Sequence, residues 1–220
     1  MAYQLNFADV WPYGGQLVSG AAYTLELTAV ATVLGVAVGT AGAAARSSRN
    51  ACWRTLFGAY VELVRNTPFL VQLFFVFFGL PSLGVKLSES QAAVIAMVVN
   101  LGAYSTEIIR AGVEAIPKGQ LEAAASLAMN RVQIFLHVVL KPAFEKIWPA
   151  LVSQIVIVML GSAVVSQIAV QDLTYAGGFI QSRTFRAFEV YLVITGLYLA
   201  MAVFVRQLLL GLGRRYFGRA

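Results

Sequence analysis

The sequence predicts an all-α integral membrane protein with five transmembrane helices. Apolar residues make up 59% of the 220 residues and charged residues only 12%, whereas soluble chains carry about 25% charged residues. Mean hydropathy is +0.76. Apolar runs long enough to cross a bilayer recur along the chain, and Lys and Arg residues lie mainly between these runs, as is typical of membrane proteins.

The charge balance does not indicate a nucleic-acid partner. A formal net charge of +6 and a pI near 9.7 would suggest nucleic-acid binding in a soluble chain. Here the basic residues flank apolar runs, so we interpret them as topology signals. The single cysteine, Cys52, cannot form an internal disulfide. The N-terminus lacks the basic segment of a signal peptide, so we expect none.

Hydropathy divides the chain into three predicted parts. Residues 1–18 form an external segment without Lys or Arg, residues 19–212 the membrane domain, and residues 213–220 a cytoplasmic tail. Residues 171–188, with Gly177 and Gly178, are predicted to be an external loop. The five spans are predicted at about residues 20–43, 56–80, 91–109, 147–170 and 188–212.

The basic residues predict the orientation of the chain. Those in loops assigned to the inside are Arg46, Arg49, Arg54, Arg110, Lys118, Arg131, Lys141, Lys146, Arg214, Arg215 and Arg219. Those in loops assigned to the outside are Lys86, Arg183 and Arg186. Because cytoplasmic loops carry the excess of Lys and Arg, the N-terminus is predicted to be outside and the C-terminus inside.

Two spans contain polar interruptions. Pro68 lacks a backbone N–H and disfavours helix at the residue before it, so the second span is expected to break there. Glu62 and Arg65 before the break have the i, i+3 spacing of a helical ion pair, and so do Glu107 and Arg110 at the inner end of the third span.

The longest polar stretch, residues 110–142, is predicted to be a cytoplasmic loop that contains a short helix. Pro117 suits the first turn of a helix, and the run from Glu122 to Ala125 has high helix propensity. An alanine-faced helix can approach a groove on another protein closely. An ordinary surface linker is the alternative, and composition alone does not decide between the two.

Motifs in this loop resemble a known family. The run Gln120-Leu-Glu122-Ala-Ala-Ala-Ser-Leu-Ala128, with Leu140-Lys-Pro142 downstream, resembles the "EAA" loop of ABC importer permeases. Val64-Arg-Asn-Thr-Pro68, Glu107-Ile-Ile-Arg110-Ala-Gly112 and residues 181–189 are similar to the branch for polar amino acids such as histidine, glutamate, glutamine, arginine and opines. The resemblance spans residues 19–212. It departs from the family at Ala128, where glycine is usual, and at Lys141, which splits the usual Leu-Pro pair.

The resemblance implies the translocation pore of an importer in a bacterial inner membrane. A pore of this kind binds no cofactor and is not an enzyme, since ATP and Mg²⁺ belong to a separate ATP-binding subunit; the sequence accordingly lacks a phosphate-binding loop. Implied partners are two ATP-binding subunits, a second identical or similar permease, a periplasmic or lipid-anchored solute-binding protein, membrane lipid and an amino acid. The implied ATPase-coupling residues are Gly119, Gln120, Glu122, Ala123, Ala124, Ala125 and Ala128.

Polar residues within the spans are candidates for the translocation path, because polar groups inside a membrane are costly. The candidates are Arg65, Asn66, Thr67, Pro68, Asn100, Ser153 and Gln154. Interhelical hydrogen bonding is the alternative, and it is favoured for the last three. His137 has no Cys, Asp or second His near it in sequence, so we expect a structural role and no metal site.

Two other classes of protein, an ion-driven carrier and a membrane enzyme, are less consistent with the sequence. An ion-driven secondary amino acid carrier would need internal repeats and a carboxylate near the middle of the membrane. The sequence shows no repeat, and Glu26 lies near one end of its span. A membrane enzyme would need a cluster of catalytic residues at one interface, and the sequence contains none.

The orientation can be tested with reporter fusions. A reporter fused after Arg219 should be active only in the cytoplasm, whereas reporters near Gly84 or Gly177 should be active only outside. Cytoplasmic activity at Gly84 would contradict the five-span topology.

Overall fold

The computed structural model describes residues 4–130 and 133–217, so Arg131 and Arg219 of the charge count lie outside the described residues. The described residues form helices and connecting turns without a strand. The helices are α1 Gly14–Arg46, α2 Ala51–Arg65, α3 Phe69–Ser82, α4 Glu89–Glu114, α5 Lys118–Ser126, α6 Lys141–Gly161, α7 Leu173–Thr184 and α8 Ala187–Phe217. A π-helical turn, Ile134–Leu140, precedes α6, and a 3₁₀ helix, Ser162–Ile168, follows it.

Helices α1 and α4 run parallel and form the centre of the bundle. At one end the Tyr23 hydroxyl donates to Ser90 Oγ at 2.6 Å, and at the other Arg46 forms an ion pair with Glu107. Between them Gly39 lies so close to α4 that a Cβ there would be 2.4 Å from Ser105 Cβ. We call the Tyr23 end the outer end and the Arg46 end the inner end, after the orientation that the charge bias predicts.

Because α1 and α4 are parallel, the chain must cross the bundle from the inner end to the outer end after α1 ends and before α4 begins. Helices α2 and α3 do so as one broken span, bent by 112° at Asn66–Pro68, where the sequence predicts the interruption. With α1, α4, α6 and α8 this gives five spans, and the predicted all-helical fold is confirmed. Most of the observed helices extend several residues beyond the spans predicted from hydropathy, because the polar ends of the helices continue past their apolar segments.

The outer segment between α6 and α8 was predicted to be a loop but contains helix α7. The Asp172 carboxylate caps α7 by accepting from the Tyr175 amide at 2.8 Å and also accepts from the Tyr198 hydroxyl at 3.1 Å. Its complete burial raises the pKa of this carboxyl. The low hydropathy and the two glycines of residues 171–188 suggested a loop. Gly177 instead provides the close contact of α7 with Ile194 of α8.

The ends of the described chain lie at opposite ends of the bundle. At the outer end the Asn6 amide donates to the buried Glu189 carboxylate at 2.9 Å, and Arg186 donates to Asp9 at 3.2 Å. At the inner end Trp148 Nε1 donates to the Leu209 carbonyl at 2.9 Å. An odd number of crossings is therefore built into the structure, while the choice of cytoplasmic face remains a prediction from the charge bias.

Candidate coupling helix and membrane cavity

Helix α5 is the compact helix predicted within the polar loop. Pro117 lies immediately before its first residue with φ −61°, and its carbonyl accepts from the Gln120 amide at 3.0 Å. Most of the predicted coupling residues are exposed: Gly119, Gln120, Glu122, Ala123 and Ala125. A set of small exposed residues around one carboxylate gives α5 a surface that another protein can approach closely.

Ala124 does not belong to this exposed surface. It is only 4% exposed, while its neighbour Leu121 packs on the cluster formed by Ile116, Val139 and Ala143. Successive residues of an α-helix are about 100° apart, so three consecutive alanines cannot share one face. The expectation that Ala123, Ala124 and Ala125 form a single alanine face is therefore wrong for Ala124, which faces this chain itself.

The end of α5 is a complete Schellman motif with alanine in the glycine position. The Met129 amide donates to the Ala124 carbonyl at 3.3 Å, and the Ala128 amide to the Ala125 carbonyl at 3.0 Å. Ala128 has φ +56°, the left-handed conformation that this motif requires. The turn thus keeps its geometry without glycine. It presents Leu127, which is 77% exposed, at the tip of the loop.

The loop is tied to the spans on both sides. The Lys146 ammonium of α6 donates to the Ala115 carbonyl at 3.1 Å, just after the end of α4. A cation at a helix C-terminus is favourable because the last carbonyls have no partner within the helix. Helix α5 therefore sits between the ends of α4 and α6, which are joined to each other.

An ion-pair network lies one turn further into the bundle. Arg110 Nη2 is 2.9 Å from Glu107 Oε2 and also pairs with Glu114, while Glu107 pairs with Arg46 of α1. The predicted pair Glu107–Arg110 is thus confirmed. The Arg46–Glu107 pair could not be predicted from sequence spacing, because the two residues are 61 positions apart. The network joins the inner ends of α1 and α4.

A cavity of about 410 Å³ lies between the broken span, α4 and α6. It brings together four of the seven residues predicted for the translocation path. Its lining consists of Thr67, Pro68, Phe69, Asn100, Tyr104, Gln154, Ile157, Val158 and Gly161. The polar groups of the lining are the amides of Asn100 and Gln154, the Thr67 hydroxyl and the Tyr104 phenol. A few polar groups among apolar walls are typical of a site that orients a small polar ligand.

Gln72 stabilises the break that forms one wall of the cavity. Its amide nitrogen donates to the Val64 carbonyl at 2.7 Å and the Thr67 carbonyl at 2.9 Å. Both carbonyls lie at the break, where Pro68 has no N–H to donate to the Val64 carbonyl. Its amide oxygen accepts from Asn100 Nδ2 at 3.0 Å. Asn100 therefore makes the interhelical hydrogen bond that was the alternative interpretation, and it lines the cavity as well. The role of Gln72 could not be predicted from the sequence, because a glutamine within an apolar run can form hydrogen bonds with many different groups.

The other three predicted residues lie outside the lining. The Arg65 guanidinium lies 5.4 Å from the centre of the Tyr104 ring, so it is next to the cavity wall. Asn66 is exposed and donates to Glu62 Oε2 at 3.0 Å, which replaces the expected Glu62–Arg65 pair. Ser153 is exposed and donates to the Pro149 carbonyl of its own helix at 3.0 Å.

Together these features define a class of protein. In a bundle of five spans, a cavity with a few polar groups lies between the broken span, α4 and α6, and a short surface helix connects α4 and α6. Within residues 4–130 and 133–217 no group of His, Cys, Asp and Glu could hold a metal ion. The arrangement is typical of a membrane transport subunit.

Comparison with known proteins identifies the family. The family model for the inner membrane component of binding-protein-dependent transport systems matches residues 31–217, and the chain belongs to this family. A putative glutamine transport system permease protein of Rickettsia conorii is 32% identical over 86% of this chain and 87% of its own length. An arginine transport system permease protein of Bacillus subtilis is 33% identical, with 88% of each chain covered.

Solved structures agree with this assignment. The crystal structure of an amino acid ABC transporter with histidines contains a chain that is 36% identical, with a TM-score of 0.89 and coverage of 97% of this chain and 100% of that one. The inward-facing MetNI methionine ABC transporter shares the fold at a TM-score of 0.76 and 21% identity. The chain is therefore a permease subunit of an ABC importer, and the ion-driven carrier is not supported.

The unusual Ala128 yields a prediction about the loop. Because the left-handed conformation costs an L-residue about 1–2 kcal/mol, Ala128→Gly should stabilise the turn by about 1 kcal/mol. Hydrogen exchange at the Met129 amide, which is bonded across this turn, should then slow about fivefold.

The matched control is Ala123→Gly, which places glycine inside the same helix. It should accelerate exchange, because glycine costs about 1 kcal/mol relative to alanine in a helix interior. Equal effects of the two substitutions would show that Ala128 is not under backbone strain.

Proposed function

We propose that this chain forms half of the membrane pore of an importer that carries polar amino acids across a bacterial inner membrane. The observation that carries the proposal is that α5 joins α4 and α6, the two spans that supply Asn100, Tyr104 and Gln154 to the cavity. A force applied to α5 would therefore act directly on the cavity walls.

The cavity chemistry supports a polar, zwitterionic substrate. Gln154 makes no hydrogen bond with any of the described residues, so its amide is available to a ligand, and the Thr67 hydroxyl and Tyr104 phenol lie in the same lining. The described lining residues include no carboxylate, whereas Arg65 lies beside the wall and can attract a substrate carboxylate. Amide and hydroxyl groups can serve both the ammonium and the carboxylate of an amino acid.

The names of the relatives do not select one amino acid. Permeases described as glutamine, arginine and L-cystine proteins are 32%, 33% and 37% identical to this chain. Because these identities are similar, we propose only what the three named substrates share. Each is an α-amino acid with a polar side chain.

The proposal includes an energy source and partners, which membership of the family supports. Two ATP-binding subunits would hold ATP and Mg²⁺ and each would receive one α5 helix in a groove. A second permease, identical or similar, would complete the pore, and a solute-binding protein would deliver the substrate at the outer end. Closure of the ATP-binding subunits would move α5 and tilt α4 and α6, which exposes the cavity alternately to the two sides.

Substitution at Gln154 tests the cavity as a substrate site. Gln154→Ala should raise the KM of amino acid uptake about two- to twelvefold, because a hydrogen bond contributes about 0.5–1.5 kcal/mol. Uptake of radiolabelled amino acids into proteoliposomes of the assembled transporter measures this effect, and basal ATP hydrolysis should stay unchanged.

Two neighbouring substitutions serve as controls. Ser153→Ala and Asn66→Ala also remove polar side chains, but both residues lie outside the cavity lining, so KM should not change. If all three variants raise KM equally, or if Gln154→Ala prevents assembly, the cavity is not the substrate site.

Substitution on α5 tests the coupling function. Ala125→Trp should insert normally because the side chain is exposed, yet it should lose the ATP-binding subunits. Overpacking a close interface costs about 1–3 kcal/mol, so binding should weaken at least about fivefold. Glu122→Gln should have a smaller effect, since an exposed charge interaction contributes about 0–1 kcal/mol. Co-purification and uptake measure both.

The control for Ala125→Trp is Ser47→Trp, an equally exposed position in another inner loop. It should retain the ATP-binding subunits. Ala124→Trp does not distinguish a coupling helix from an ordinary surface linker, because a large side chain at this buried position would disturb the packing of the loop itself. Normal co-purification and uptake with Ala125→Trp would favour the surface-linker interpretation.

A further inference from the structure

A second feature of the surface lies away from the transport cavity, in a groove between α1 and α4. Its walls are apolar for most of their length, and its volume is about 440 Å³. We call it the α1–α4 groove. It is lined by Tyr23, Glu26, Leu27, Val30, Leu87, Ser90, Gln91, Val94 and Ile95.

The orientation that the charge bias predicts places the groove at the depth of the outer leaflet. Ser88 caps the outer end of α4 in a capping box with Gln91, and the groove extends from there to Ile95. At 1.5 Å per residue this is about 10 Å along the helix, which is one third of a hydrocarbon core about 30 Å thick. An apolar groove at this depth faces the upper part of lipid acyl chains.

The outer end of the groove meets a polar pocket. The two share Tyr23 and Ser90, whose hydrogen bond separates them. The pocket has a volume of about 650 Å³ and contains Glu89 together with the amides of Gln16 and Gln171. The Glu26 carboxylate lies in the groove on the other side of Tyr23 and is exposed.

The charges at this junction have one sign. Glu26 and Glu89 are carboxylates, and none of the described lining residues of the groove or the pocket is Lys or Arg. Two carboxylates attract an ammonium group and repel an anionic headgroup. Serine hydroxyls and glutamine amides beside them can donate to the oxygens of a single phosphate that accompanies the ammonium.

We propose that the α1–α4 groove binds an outer-leaflet phospholipid with a primary ammonium headgroup. One acyl chain lies against Leu27, Val30 and Val94, the ammonium group lies at the Glu26 carboxylate, and the phosphate accepts from Ser90 or Gln91. This lipid would fill the seam of the parallel pair α1 and α4. The site is independent of the transported substrate, and its test requires no transport.

Binding can be measured by native mass spectrometry of the purified full-length chain during titration with defined phospholipids. Phosphatidylethanolamine should be retained in preference to phosphatidylglycerol by about fivefold, the effect expected of one exposed ion pair. Phosphatidylcholine should lie between them, because its ammonium cannot donate hydrogen bonds. Glu26→Gln should reduce the preference to near equality, whereas Glu145→Gln, which removes a carboxylate outside this site, should leave it intact.

A pair of tryptophan substitutions tests the groove itself. Val30→Trp fills the groove and should abolish retention of phosphatidylethanolamine. Val33→Trp adds the same side chain to the same helix at an exposed position outside the lining and should have no effect. Equal retention of phosphatidylethanolamine and phosphatidylglycerol by the wild-type chain, or equal effects of the two tryptophans, would overturn the proposal. So would efficient disulfide cross-linking between Val30→Cys positions of two copies, because a second permease would then cover the groove.

Discussion

The missing N–H of Pro68 is the constraint on which the cavity between the broken span, α4 and α6 depends. In a membrane interior every backbone polar group needs a partner within the protein, and Pro68 cannot donate to the Val64 carbonyl as the next turn of an α-helix would. Gln72 donates to this carbonyl and to that of Thr67, and its remaining oxygen is held by Asn100 of α4. The same hydrogen bonds therefore stabilise the bend and fix the broken span against the span that forms the opposite wall.

Close contacts elsewhere in the bundle link α5 to the spans that line this cavity. Gly39 allows α1 and α4 to lie in direct contact, and the Arg46–Glu107 pair joins their inner ends. Lys146 joins α6 to the end of α4, with α5 between them. These contacts tie α5 to α4 and α6, the two spans that supply Asn100, Tyr104 and Gln154 to the cavity. The Schellman turn at Ala128 fixes where α5 stops and where Leu127 projects.

Much of this architecture could be predicted from local patterns. Apolar runs indicated the spans, Pro68 indicated the break, and the alanine-rich sequence around Glu122 indicated a helix. Helix α7 could not be predicted in this way, because its stability depends on burial of Asp172 and Gly177 against α1 and α8 rather than on its own composition. Asn66 and Ser153 were natural candidates for the pore by residue type, but helix rotation directs them away from it.

The sequence by itself determined the class of the protein, because crossing a bilayer imposes length and hydropathy on each span and charge on each loop. It also predicted helix α5, since an alanine-rich helix between polar turns needs few distant contacts to form. Tertiary structure alone decided which polar residues share the cavity, that Ala124 faces inward, and that Arg46 meets Glu107. These outcomes depend on the rotation and depth of helices relative to one another, and such relations are set by packing between residues far apart in the chain.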